Sequence, residues 1–270
     1  MMTFEGKVAA ITGAGSGIGR ALALGLASKG CSVCVSDINE AELAETVALL
    51  APYNVKVRSD PLDVTDRNAV ESLAASVVDQ FGKVDFVFNN AGVALIDRVE
   101  TVSYDDFEWL MNINFWGMVY GSKAFLPYFQ QQGQGRIINV SSLFGLVAVP
   151  GQSAYNASKF AIRGFTDAMG QELKGTGIYA TSVHPGGIKT NIVKNARFIN
   201  PGSKHIQKSD METRFAKMAR TTADQAADVI LKAVTRKKKR VLIGGDARFL
   251  DVVQRLMPEK YPEFLSFVLK

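Results

Sequence analysis

Short, nearly unbroken apolar runs alternate along the chain with stretches whose apolar residues recur at helical spacing. Val8–Thr12, Ser32–Ser36, Lys56–Pro61, Asp85–Asn89, Arg136–Ser141, Tyr179–His184 and Arg240–Ile243 read as strands. Between them, Ile18–Ser28, Glu40–Leu50, Arg67–Phe81, Asp105–Gln131, Ala154–Lys174 and Ala223–Val234 read as helices. A helix between successive strands requires crossover connections, which make neighbouring strands parallel. Continuous Val and Ile runs suit strands covered on both faces. The pattern therefore predicts a single α/β domain: a doubly wound, seven-stranded, mostly parallel sheet with helices on both faces.

The alternation breaks in two places. Lys189–Thr222 is polar and basic, with Pro201 and Gly202 in its middle, as expected of an insertion that forms a lid or binding loop. Residues 246–270 form a tail punctuated by Pro258 and Pro262. Its apolar residues Leu250, Val253, Leu256, Phe264, Phe267 and Val268 predict a packed segment. A cover for the active site, a subunit interface or a membrane contact are the other uses left open.

Composition narrows the class. With 270 residues, 47% apolar and 21% charged, the chain can bury a large core unaided, which excludes disorder, collagen and disulfide-rich scaffolds. Two cysteines give no disulfide framework, so a reducing cytoplasm is expected. Cys31 and Cys34 have the spacing of a redox or zinc motif, but such positions on a strand face opposite ways and there is no second ligand pair, so no metal is expected. His184 and His205 lack metal-ligand spacing; His184, just before Pro185, is read as structural, with a contact to the cleft as the alternative. The longest mostly apolar stretch, Ile137 to Val149, is interrupted by Asn139, Ser141, Ser142 and Gly145 and falls short of the ~20 residues a bilayer requires, so no integral membrane segment is expected. Glu5, Lys7 and the glycine cluster after Thr12 do not form a signal peptide.

The net charge of +5 is unevenly placed: Lys189–Arg240 holds fourteen Lys or Arg against four Asp or Glu, and the remainder is net negative. Acidic substrates, an acidic carrier protein or a membrane surface could use such a segment, and a solvated surface is the plain reading. Arg236–Arg240 stands where a helix ends and a strand begins, where cations complement the helix dipole. No aromatic platform accompanies it, so no nucleic-acid partner is expected.

Candidate chemistry begins at Thr12-Gly13-Ala14-Gly15-Ser16-Gly17-Ile18-Gly19, directly after the first strand and opening a helix. Glycines there allow a tight turn and close approach to a pyrophosphate, at a helix N-terminus whose free N–H groups favour an anion. Asp37 ends the second strand and can accept both ribose hydroxyls of an adenosine. It would repel a 2′-phosphate, and Ile38 and Asn39 supply no compensating cation, so NAD is favoured over NADP. Asp63 and Val64 follow the third strand and can hold the adenine edge, or serve as a turn before the next helix.

Tyr155 and Lys159 share a helix face at i, i+4 spacing. A nearby ammonium stabilises a phenolate, so the pair can exchange a proton with an alcohol oxygen. Ser142 lies thirteen residues earlier, at the C-terminal end of the fifth strand, where its hydroxyl can hold a substrate oxygen. Ser141 competes with Ser142, but strand alternation points it the other way.

These motifs, with Asn89-Asn90-Ala91-Gly92, Asn114 and Pro185-Gly186, occur in the order of a known family. Over roughly residues 5–245 the chain resembles the short-chain dehydrogenase/reductase family in its typical one-domain Rossmann form. The resemblance implies that Tyr155 is the general acid/base, that Lys159 lowers its pKa and binds the nicotinamide ribose, and that Ser142 polarises the substrate carbonyl. Asn114, preferred over Asn112, would hold a water linking Lys159 to solvent. Gly13, Ser16, Gly17, Ile18, Gly19, Asp37, Asp63 and Val64 would line the adenosine and pyrophosphate site. Asn90, Ala91 and Gly92 would brace the cleft. Pro185, Gly186, Ile188 and Thr190 would lie along the nicotinamide, with Gly186 giving the tight approach needed there. The function so implied is an NAD-dependent alcohol dehydrogenase or ketone reductase. Leu143, Phe144, Leu146, Val147 and Val149, with the apolar tail, suggest a lipophilic alcohol or ketone as substrate. The family's habit of pairing the helices Asp105–Gln131 and Ala154–Lys174 implies a homodimer or homotetramer. The rivals are a 3-ketoacyl-carrier-protein reductase, against which Asp37 argues, and a non-catalytic cofactor sensor, which would lack Asn114, Ser142, Tyr155 or Lys159.

Overall fold

Seven strands make one sheet: Val8–Thr12 (β1), Ser32–Asp37 (β2), Val57–Pro61 (β3), Phe86–Asn89 (β4), Gly135–Val140 (β5), Ile178–Pro185 (β6) and Arg240–Ile243 (β7). Their order is β3-β2-β1-β4-β5-β6-β7, and every neighbouring pair is parallel. The sheet is thus wholly parallel. The structure is a computed structural model that describes residues 3–200 and 207–268. Pro201, Gly202, His205 and Leu269, and the side chains of Phe267 and Val268, lie outside the described residues.

The helices are Gly17–Ala27 (α1), Glu40–Leu50 (α2), Arg67–Phe81 (α3), Tyr104–Met111 (α4), Gly117–Gln132 (α5), Ser153–Glu172 (α6), Lys208–Met218 (α7), Ala223–Thr235 (α8), Gly245–Leu256 (α9) and Tyr261–Val268 (α10). The strands' alternation divides the core between two helical layers. Ala9, Ile11, Val33, Val35, Phe86, Phe88 and Ile138 face one way, into a cluster completed by α1, α2 and α8. Val8, Ala10, Cys34, Val87 and Ile137 face the other, against α3, α5 and α6. Asn39 and Asp66 cap α2 and α3 by accepting the N–H groups of Glu42 and Ala69, which fixes both starts where the pattern predicts them.

The region expected as one helix, Asp105–Gln131, is divided. A π-helical turn, Asn112–Trp116, joins α4 to α5. The insertion after β6 is closed at its base, where Ile188–Lys189 pairs in parallel with Thr221–Thr222. It carries α7, and its Arg197–Phe198 pairs with Leu95–Ile96. The tail packs in part: Ala247, Leu250 and Leu265 meet Leu143, Val147 and Val149, and the Tyr261 hydroxyl accepts the Ala148 N–H at 3.2 Å, while Leu256 and Phe264 are exposed, against expectation. The apolar run after Ser142 is therefore largely consumed by the tail, which removes most of its weight as an argument for a lipophilic substrate. The basic run Arg236–Arg240 is shared among local roles. Arg236 ends α8, Lys237 Nζ donates to the Tyr179 hydroxyl at 3.1 Å, and Arg240 pairs with Asp251 of α9. No helix among the described residues is long and apolar enough to cross a membrane.

The Arg240–Asp251 pair ties the tail to the edge strand, and Asp251 is only 5% exposed. Removing one partner of a buried pair strands the other charge. Asp251→Asn is expected to lower stability by about 2–4 kcal/mol in equilibrium denaturation; an unchanged midpoint would show that the pair holds nothing.

Candidate active site

β1, β2, β4, β5 and β6 all end at one edge of the sheet, and the strand order reverses between β1 and β4. A crevice at such a reversal is where this architecture binds ligands. The loop leaving β1 crosses it. Gly13 has φ 65°, and a Cβ there would lie 2.7 Å from the Ala91 Cα, so both conformation and space demand glycine. A Cβ on Gly19 would lie 2.0 Å from the Gly13 carbonyl oxygen. Ser16 starts α1 in extended backbone and makes no side-chain cap, so no side chain consumes the N–H groups of the first turn.

Neighbouring elements hold this loop rigid. Asn90 Nδ2 donates to the carbonyls of Thr12 (3.1 Å) and Gly13 (3.0 Å), while the N–H groups of Asn90 and Ala91 donate to Thr12 Oγ1. From α2, the fully buried Thr46 hydroxyl lies 2.9 Å from the Ala14 carbonyl and 3.2 Å from that of Gly15. Arg20 Nε donates to Thr46 at 2.9 Å, and its other end reaches Glu42 and Glu45. Asp37 accepts the Gly15 N–H at 2.8 Å and the Asn39 N–H at 2.9 Å, one on each carboxylate oxygen. Each oxygen keeps a further lone pair. Asp63 accepts both the N–H and the hydroxyl of Thr65, forming the turn, and Val64 packs against Gly117.

At the far end of the crevice stands the Pro185-Gly186 turn. The close approach at Gly186 is made by Asp246 of α9, whose carboxylate lies 2.2 Å from where a Cβ would stand and accepts the Gly187 N–H at 2.7 Å. The Ile188 side chain is buried in the core shared with α1 and α8. Thr190 faces Gly17, with its methyl 3.1 Å from where a Gly17 Cβ would be. A cleft of about 250 Å³ opens there, flanked by Arg20 and Lys189. A cavity of about 280 Å³ lined by Lys7, Arg136 and Tyr179 lies at the opposite end of the sheet, away from all of these groups.

Tyr155 and Lys159 occupy the start of α6 and are 7% and 3% exposed. Lys159 Nζ donates to the Val140 carbonyl at 3.2 Å and sits 5.5 Å from the centre of the Tyr155 ring. Burial pushes the phenol up to about 12, and the Ser142 hydroxyl hydrogen-bonded to it pulls the other way. Burial pushes the Lys159 amine down to about 8. Desolvation thus favours the uncharged form of both groups. Asn114, in the π turn, is pinned three ways. Its Oδ1 accepts the Val93 N–H at 2.8 Å, and its Nδ2 donates to the Val93 carbonyl and to Ser158 Oγ. Asn112 is exposed. Asn114 Oδ1 and Lys159 Nζ lie 3.2 and 3.3 Å from where a Gly92 Cβ would stand, so one glycine separates them. Ser142 Oγ accepts the Phe144 N–H at 3.1 Å, whereas the Ser141 hydroxyl donates to the Lys159 carbonyl. Asn114, Ser142, Tyr155 and Lys159 thus converge, with Ser142 alone of the four half-buried.

An apolar wall adjoins them. Ala94, Leu95, Leu110, Ala154 and Tyr155 cluster with Phe144, Ile192 and Met211, and Phe144 meets Tyr155 edge-on at 6.3 Å. Arg197 fastens the insertion to this wall: it pairs with Asp106 at 2.7 Å and stacks 3.5 Å over the Trp109 ring. Thr46, Asp246 and Arg197 carry no motif signal, because each acts through a contact between elements far apart in sequence. Cys31 and Cys34 are free and buried, with burial pushing the Cys31 thiol up to about 12, and no metal-binding cluster occurs among the described residues.

The family model for short chain dehydrogenases matches residues 7–198. The SadH chain of Mycobacterium tuberculosis is 45% identical over 98% of this chain and 96% of its own length. The 3-oxoacyl-acyl-carrier-protein reductase FabG of Thermotoga maritima is 36% identical over 70% of this chain and 77% of its own. Among solved structures, a short chain dehydrogenase/reductase from Burkholderia phymatum in complex with NAD superposes with TM-score 0.87 at 29% identity, covering 96% of both chains.

Behind Ser142, His184 is fully buried, and burial holds its imidazole down at about 4. An unfolded histidine takes its proton near 6.5, so the unfolded state gains protons first as pH falls. The stability this neutral ring contributes is complete above about pH 6.5 and is lost progressively towards pH 4, by roughly 3 kcal/mol at most. Denaturation midpoints measured across this window should show the slope in the parent protein and lose that part of it in His184→Asn.

Proposed function

The chain belongs to the short-chain dehydrogenase family, and on that premise we propose that it is an oxidoreductase using NAD to interconvert a secondary alcohol and a ketone on a lipophilic substrate. The observation that carries this reading is the convergence of Tyr155, Lys159, Ser142 and Asn114 beside the crevice bounded by the Gly13–Gly19 loop. Bound there, NAD would supply the hydride acceptor and, in its reduced form, the hydride donor.

The residues present fit such a cofactor. The uncapped start of α1, with Ser16, Gly17 and Ile18, would receive the pyrophosphate, and Asp37 the adenosine ribose. Ile38, 69% exposed beside Asp37, offers an apolar face to an adenine, with Asp63 and Val64 at its edge. No cation stands at Ala14, Ser16, Ile38 or Asn39 to accept a 2′-phosphate, and Arg20 is committed to Thr46 and Glu45, which supports NAD over NADP. Asn90, Ala91 and Gly92 brace the middle, and Pro185, Gly186 and Thr190 bound the nicotinamide end.

In reduction, Ser142 holds the carbonyl oxygen and Tyr155, kept protonated by burial, donates its proton as that oxygen becomes an alcohol. In oxidation Tyr155 first gives up its own proton by way of Lys159 and then, as phenolate, takes the hydroxyl proton. Lys159 binds the ribose and passes protons onward, and Asn114 orients the water that leads to solvent. The wall formed by Ala94, Phe144, Ile192 and Met211 supports an apolar substrate. Trp116 and Phe160, 44% and 38% exposed on the π turn and α6, support a homodimer or homotetramer formed through these helices. The unpaired Cys31 and Cys34 favour a reducing cytoplasm. We treat the chain as one domain, with residues 189–222 shaping the substrate site and residues 246–270 supporting it. The FabG match favours a carrier-protein reductase as the second reading, one that requires NADPH where Asp37 favours NADH.

A spectrophotometric screen with 2-octanol, cyclohexanol, 1-phenylethanol and their ketones, against both cofactor pairs, tests the proposal. Turnover is expected with NAD at least about fiftyfold above NADP; a preference for NADPH would favour the carrier-protein reading. Tyr155→Phe should lose a factor of about 10²–10⁴ in turnover, with NADH binding by fluorescence unchanged. Retained turnover would remove Tyr155 from the chemistry. Because burial keeps the phenol protonated well above neutrality, reduction should be flat from about pH 6 to 8 and decline at alkaline pH, while oxidation climbs with pH. Reduction rates that rise with pH would overturn this assignment.

A further inference from the structure

We infer that His184 is a positioning residue that sets Ser142 against Tyr155, an inference that rests on Ser142 being the group that holds the substrate oxygen. The β5–β6 ladder runs from Gly135–Ile178 to Val140–Val183, and its last main-chain bond is from the Ser141 N–H to the Val183 carbonyl at 2.8 Å. In a parallel ladder the next rung needs the N–H of the second residue along, and that residue is Pro185, which has none. That rung would end on the Ser141 carbonyl; one residue further on, the His184 side chain ties the Ser142 carbonyl to β6 instead. Its Nδ1 lies 2.9 Å from the Ser142 carbonyl oxygen and its Nε2 lies 2.8 Å from Ser182 Oγ.

Chemistry fixes the tautomer. A carbonyl oxygen only accepts, so Nδ1 carries the hydrogen, and the bare Nε2 accepts from the Ser182 hydroxyl. The Ser142 carbonyl accepts a second bond, from the Gly145 N–H at 3.0 Å, so both its lone pairs are engaged. The Ser142 Oγ accepts the Phe144 N–H at 3.1 Å. With carbonyl and side-chain oxygen both held, the Ser142 hydroxyl has one orientation left towards Tyr155. The ring is wholly buried and is hydrogen-bonded to Ser142 on one side and Ser182 on the other.

The test is a double-mutant cycle with the alcohols named above and NAD. His184→Gln, which places an N–H at the wrong end of the ring's footprint, should lower kcat about ten- to a hundredfold with NADH binding unchanged. His184→Asn, whose Nδ2–H can replace Nδ1–H, should return to within about fivefold of the parent. In a Ser142→Ala background, His184→Gln should cost less than about twofold more, because the group it positions is already gone. A structural role alone would predict that the two losses multiply, and that outcome overturns the proposal. So does His184→Gln at parental kcat. Failure of every alcohol and ketone would remove the dehydrogenase reading by itself. The crystal structure of His184→Gln then decides the positioning claim without turnover: a Ser142 hydroxyl moved away from Tyr155 upholds it, and one left in place overturns it.

Discussion

The withdrawal of Lys159 and Tyr155 from water governs the site. An ammonium held by the Val140 carbonyl lies beside a buried phenol, and desolvation drives both towards their neutral forms. The Lys159 pKa falls to about 8, close enough to neutrality that small changes in local charge move its proton. The geometry that creates this situation is simple: α6 starts against the end of β5, so its first turns enter the sheet edge where the main-chain ladder stops. Ser141 closes the same junction from the other side by donating to the Lys159 carbonyl.

The second organising fact is how the glycine loop is kept from moving. A chain segment with several glycines has high conformational entropy when unfolded and few side chains of its own to pack. Here the rigidity comes from elsewhere: Asn90 after β4, Thr46 on α2 and Thr12 at the end of β1 together bind the loop's carbonyls and the facing N–H groups. A loop so braced presents a fixed surface, so little ordering remains to be done on binding. The Asp37 carboxylate belongs to the same network through the Gly15 N–H.

Much of this was legible in the sequence, for identifiable reasons. Seven strands and most helix limits follow from periodicity and caps, and α2, α3 and β7 agree residue for residue with the pattern. Tyr155, Lys159, Ser142 and the glycine loop are visible because their spacing is local or repeats a familiar order. The π turn around Asn114 is not visible, since one extra residue per turn leaves no mark on hydrophobic spacing. Apolar residues beside the site also serve the core: Leu143, Val147 and Val149 pack against the tail, and the Ile188 side chain packs against α1 and α8, which spacing alone does not reveal. Asp246, Arg197 and Thr46 are single polar residues that reach Gly187, Asp106 and Ala14, each 32 or more positions away, and no reading of neighbours could have paired them.

The insertion after β6 is stapled at two points, by the short parallel pair of Ile188–Lys189 with Thr221–Thr222 at its base and by Arg197 gripping Asp106 and Trp109 further out. The two ends of the insertion are therefore held in register with the rest of the fold. Lengthening a tethered loop is inexpensive, about 0.6 kcal/mol for each doubling. Descendants of this scaffold can thus exchange one outer surface for another by insertion and deletion alone, leaving the sheet edge and the side chains gathered there untouched.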